Sequence, residues 1–66
     1  MKRYVLRQVW GTDFEFQTRE NYEAYIGDAR AVHKFYKRDG FNTFYDVLEY
    51  IEKWFKVSRD NIEIIK

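Results

Sequence analysis

His33 is the only histidine among 66 residues, and its imidazole is the one side chain whose ordinary charge changes near neutral pH. A lone imidazole can carry a proton, but a zinc set needs further His or Cys ligands, and the chain has one His and no Cys. His33 therefore reads as a core or boundary imidazole bonded to a tyrosine or a backbone carbonyl. Carboxylates gather at Asp46, Glu49 and Glu52, and earlier at Glu20 and Glu23. Paired carboxylates serve acid–base catalysis or hold a hard cation. Here they fall in the first turns of two expected helices, where negative charge complements the helix dipole, so capping electrostatics accounts for them. Motifs for nucleotide binding, nucleophile elbows, zinc proteases and EF-hands are all missing. No catalytic residue, metal site or cofactor is expected, and the chain reads as non-enzymatic.

Binding chemistry has more to work with. Arg30, Lys34, Lys37 and Arg38 form one basic ridge if the segment around them is helical. With Phe35 and Tyr36 as stacking faces, that ridge is a candidate nucleic-acid site. Ala24, Gly27, Ala31 and Phe35 line a second, small-residue stripe on the same segment. Glycine in mid-helix costs about 1 kcal/mol relative to alanine, so Gly27 asks for close approach by another backbone. That backbone belongs either to the rest of the fold or to a docked partner, with Arg30 and Lys34 at the rim. Tyr45 points away from the apolar stripe of its own helix and is expected in solvent, where tyrosine suits an interface.

The elements that must position these residues follow from periodicity. Residues 3–10 and 14–18 read as two strands around Gly11-Thr12-Asp13. The preferred register sets Trp10 opposite Phe14, Gln8 opposite Phe16 and Leu6 opposite Thr18. It gathers Tyr4, Leu6, Trp10, Phe14 and Phe16 on one face, and Arg7, Glu15 and Gln17 on the other. From Asn21 or Tyr22 to about Arg38 the spacing turns helical, with Tyr22, Tyr25, Ile26, Ala29, Val32, His33 and Tyr36 in one arc and Gly40 as the cap. A second helix opens on the capping box Thr43–Asp46 and buries Phe44, Val47, Leu48, Ile51, Trp54 and Phe55. Ser58–Asn61 is a turn, and Ile62–Ile65 a last short strand. The expected architecture is a single α+β domain over 1–66, in ββααβ order, with two helices on a three-stranded sheet.

Six Phe, six Tyr and two Trp give a short chain large side chains to bury, without any disulfide. A net charge of +1 argues against a polyelectrolyte role. No apolar run approaches the roughly 20 residues of a membrane span, and Arg7 and Gln8 interrupt the basic start too early for a signal peptide. The expected location is the cytoplasm. The leading functional expectation is a small protein-binding module, an inhibitor, adaptor or regulatory subunit, of the kind a phage or mobile element encodes. Its docking surface would be Ala24, Gly27, Ala31 and Phe35 with Arg30, Lys34 and Tyr45. The alternatives are a nucleic-acid-binding module using Arg30, Lys34, Lys37 and Arg38, and a homodimeric structural protein that buries the small-residue stripe against itself.

Overall fold

Apolar–polar alternation makes Tyr4–Val9 (β1) and Asp13–Thr18 (β2) an antiparallel hairpin in the computed structural model, which describes all 66 residues. The pairs are Tyr4 with Thr18, Leu6 with Phe16 and Gln8 with Phe14, a shift of two residues from the expected register. An even shift keeps every side chain on its own face, so Leu6, Phe14 and Phe16 still share the core side. It does set Arg7 directly opposite Glu15, where the guanidinium Nε donates to the carboxylate at 3.0 Å. It also expels Trp10 from the sheet. The loop is Trp10-Gly11-Thr12, closed by the Thr12 amide on the Val9 carbonyl, with Trp10 and Gly11 both left-handed at φ 59° and 71°.

The long helix expected from residue 22 to 38 is absent. In its place stand a five-residue helix, Arg19–Glu23 (α1), a 3-10 turn at Ala29–Ala31, and a short strand, His33–Phe35 (β3). Two physical reasons explain the correction. Asn21 and Asp28 spend their side chains on nearby backbone groups in non-helical geometry, the competition that makes these residues poor helix formers. Phe35, meanwhile, gains more by pairing with Phe14 across the sheet, where it is 6% exposed, than a surface helix would offer it.

The second helix starts where the capping box sets it. Thr43 Oγ1 accepts from the Asp46 amide, and Asp46 Oδ2 accepts from the Thr43 amide. Phe44–Tyr50 (α2) then widens into a π-helical stretch at Ile51–Phe55, stopped by left-handed Lys56. Bonding five residues apart instead of four turns each residue through a smaller angle. Ile51 stays fully buried while Trp54, expected in the core, swings into solvent. A 3-10 turn at Arg59–Asn61 leads into Ile62–Ile65 (β4), which pairs with β1 in parallel.

The sheet thus has four strands, not three, in the order β3-β2-β1-β4. The chain is an α+β protein with the small helix α1 and the α2–π helix beside a mixed sheet. On the inner face Leu6, Phe14, Phe16, Phe35 and Ile62 meet Val47, Leu48 and Ile51. Phe14 sits edge-on to Phe44 at 5.0 Å and Phe35 edge-on to Phe41 at 5.0 Å, pairs worth about 0.5–1.5 kcal/mol beyond their area. Val5 and Gln17 point the other way and are buried as well, because the chain after β2 crosses the outer face.

Arg59 locks the π stretch to β4. Its backbone amide and Nε both donate to Glu52 Oε2 at 3.1 Å, and its Nη2 donates to Oε1 at 2.7 Å. These bonds hold the Glu52 carboxyl below the ordinary glutamate range. A carboxylate depressed on folding adds stability that is fully present above its unfolded value, about 4.3, and is lost as pH falls through the lower folded value. Thermal unfolding followed from pH 6 down to pH 2 should therefore show a declining midpoint below about pH 4.3. Glu52→Gln should flatten that decline. An identical slope in both proteins would mean the pair contributes nothing.

Candidate interaction surface

Thr18 caps α1 by accepting from the Asn21 amide, and this places the Asn21 side chain at the base of the following loop. From there Asn21 works as a clamp. Its Nδ2 donates to buried Gln17 Oε1 at 2.8 Å and to the Asp28 carbonyl at 3.2 Å, and its Oδ1 accepts from the Asp28 amide at 2.7 Å. Residues 22–28 are thereby closed into a fixed loop tied to β2. Gly27 is the residue this closure demands. A Cβ built on it would lie 2.3 Å from the Asn21 backbone oxygen, so no larger residue fits without opening the loop. The close approach inferred for Gly27 exists, but the backbone it meets is the chain's own.

The loop lies across the outer sheet face, over a cavity of about 250 Å³ lined by Arg7, Glu15, Gln17, Tyr22, Gly27 and Val32. Its tip is Tyr25-Ile26, and these two side chains touch almost nothing: they are 101% and 87% exposed. The expected helix set both in its one apolar arc. With the helix gone, the clamp turns them outward. Of the three carboxylates around the tip, Glu23 pairs with Arg19 and Asp28 with Arg30, which leaves Glu20 outside any ion pair.

The remaining expected site residues disperse. The helical stripe of Ala24, Gly27, Ala31 and Phe35 does not exist as one face: Ala24 ends α1, Ala31 sits in the 3-10 turn, and Phe35 is core. Arg30 is in solvent with its Nε 3.4 Å from Asp28 Oδ1. Lys34 stands on the outer face of β3 opposite Glu15, and Lys37 and Arg38 follow in the 3-10 turn Lys37–Asp39, so the basic residues flank a strand edge in place of a helix ridge. Tyr45 is exposed on α2, with the Arg59 guanidinium 5.2 Å over its ring. His33 lies at the rim of a cavity of about 210 Å³, its ring 4.8 Å from Phe55.

Four functional candidates escaped sequence reasoning: Asn21, Trp10 and the tip residues Tyr25 and Ile26. The signal for Asn21 was available in the triplet of Asn21, Gly27 and Asp28, which is loop chemistry inside a seemingly helical pattern. For the carboxylates, no three His, Asp or Glu side chains converge as metal ligands, and Asp46 and Glu52 are engaged in the cap and the Arg59 bridge. No helix is long and apolar enough to cross a membrane. No protein-family model, curated protein or solved structure matches this chain.

Proposed function

We propose that the protein is a small non-enzymatic binding module that docks on another protein through the Tyr25-Ile26 loop. The observation behind this reading is the clamped loop itself. A chain that has few residues to spare holds seven of them in one shape and displays two large apolar side chains at its tip. Holding a contact loop rigid before binding reduces the ordering entropy lost on association, and tyrosine is favoured at interface hot spots. The tip calls for an apolar cleft in the partner, and Glu20, outside every ion pair, favours a lysine or arginine at that cleft's rim. A regulatory, inhibitory or adaptor role inside the cell is the corresponding biology.

The decisive comparison is quantitative affinity capture from host extract by the natural chain and by Tyr25→Ser/Ile26→Ser. A partner should be retained by the first and lost by the second, at equal thermal stability, and its cross-linked surface should be apolar with a basic rim. Equal capture by both proteins, or a cross-linked surface that is acidic, overturns the reading. Sedimentation over a concentration series decides whether the occupant is a second copy: dimerisation abolished by the double variant would replace a foreign partner with self-association.

A further inference from the structure

The tip of the first hairpin is built against its own conformational preference. Two left-handed residues in succession are the requirement of a type I′ turn, which favours Asn-Gly at these positions. Here the pair is Trp10-Gly11, and a bulky residue at φ 59° is strained. The Trp10 side chain gives the fold no return for that strain, being 91% exposed. Beside it lies a cavity of about 150 Å³ whose lining includes Trp10, Tyr36, Lys34 and Glu15. A cavity of about that volume accepts a single aromatic ring. The Arg38 guanidinium rests 4.5 Å over the Tyr36 ring, which adds a cation to the aromatic pair.

The charges around this cavity are arranged unequally. Glu15 is paired with Arg7, while Asp13 accepts only a neutral backbone amide from Lys37 and Asp39 shares the turn of Lys37 and Arg38, so two free carboxylates face three free cations. Lys34, Lys37 and Arg38 take part in none of the molecule's ion pairs. Two aromatic faces with unpaired cations beside them are the elements of a single-strand platform, in which bases stack and phosphates meet lysine or arginine. We infer that the Trp10–Tyr36 cavity is a binding site for single-stranded nucleic acid, with one base held at the two aromatic rings and the flanking phosphates on Lys34, Lys37 and Arg38. The site is separate from the Tyr25-Ile26 tip and stands or falls independently of it. It recovers three of the four basic residues singled out in the sequence, now set along the β3 edge and joined by the stacking residue the sequence had assigned to the core.

The test uses the full chain carrying Trp54→Phe, so that Trp10 is the only tryptophan, titrated with twelve-residue oligo-dT and oligo-A RNA at low salt. Stacking should quench Trp10 fluorescence, and the logarithm of the affinity should fall against log[salt] with a slope of about −2, the value for three phosphate contacts. Lys34→Gln should reduce that slope by about 0.7. Trp10→Ala, in the natural chain and read by anisotropy of labelled oligo-dT, should weaken binding about tenfold or more. Absence of quenching by either oligonucleotide overturns the proposal. So does binding that falls with salt yet is indifferent to Trp10→Ala, which would mark a diffuse polyelectrolyte contact. If no oligonucleotide binds and Trp10→Ala instead abolishes capture of the protein partner, Trp10 belongs to the protein interface and the nucleic-acid site does not exist.

Discussion

Phe14→Ala should remove most of the folding free energy. Phe14 is the largest of the fully buried side chains, 1% exposed, held edge-on by Phe44 and paired across the sheet with Gln8 on one side and Phe35 on the other. Truncating a buried phenylalanine costs about 3–5 kcal/mol, the sum of lost transfer energy and the cavity left behind. A chain of this size holds roughly 3–10 kcal/mol in total, so one substitution consumes about half or more of it. No disulfide limits the unfolded ensemble and softens the loss. Urea unfolding monitored by circular dichroism should show the midpoint dropping by half or more, with Phe41→Ala, at a half-buried site, dropping less. A loss under about 1.5 kcal/mol at Phe14, the cost of a tolerated volume-conserving swap, would show that the sheet and α2 are not packed through this ring.

Gly27→Ala should separate the loop from the fold. The clash it introduces is with the Asn21 backbone oxygen, which cannot rotate away as a side-chain tip would. The loop must open, and the two hydrogen bonds between Asn21 and Asp28 open with it. At about 0.5–1.5 kcal/mol each, their loss lowers global stability modestly. The core, on the opposite face, is untouched. The large effect is local. Hydrogen exchange at the Asp28 amide should accelerate by an order of magnitude or more, and partner capture should fall as far as it does in Tyr25→Ser/Ile26→Ser. An unchanged Asp28 exchange rate would refute the clamp. Capture that survives an opened loop would show that its fixed shape is not what the partner needs.

The parts of this fold legible in the sequence are those decided by local chemistry. Thr43 and Asp46 announce the start of α2 because the capping box closes within four residues. The faces of the hairpin were legible too, since alternation survives an even shift of register. The segment after β2 was not. Its spacing of Tyr22, Tyr25, Ile26 and Ala29 imitates a helix, and β3 is only three residues long, too short for alternation to compete. What decided the matter was the side chain of Asn21 and the distant partner Phe14, neither of which a periodicity reads. The π stretch was equally invisible, because no residue type marks a change from four-residue to five-residue bonding. For the candidate sites, the basic residues at 34, 37 and 38 were visible as chemistry and misplaced in space. Trp10, Tyr25 and Ile26 were misassigned for one shared reason: large apolar residues were taken to belong inside.

β1 has a neighbour close in sequence on one side and a neighbour from the far end of the chain on the other. β2 follows after a three-residue turn, whereas the Arg3 amide reaches Asn61, 58 residues away. Nearby segments meet sooner than remote ones, so the hairpin should assemble early and β4 should dock last. Until it does, the strand at the centre of the finished sheet is an unprotected border, open to a strand from any other molecule. Crowded, half-assembled copies are therefore the vulnerable population, and the last tetrapeptide of sheet to dock moves the open border from the six-residue β1 to the four-residue β4.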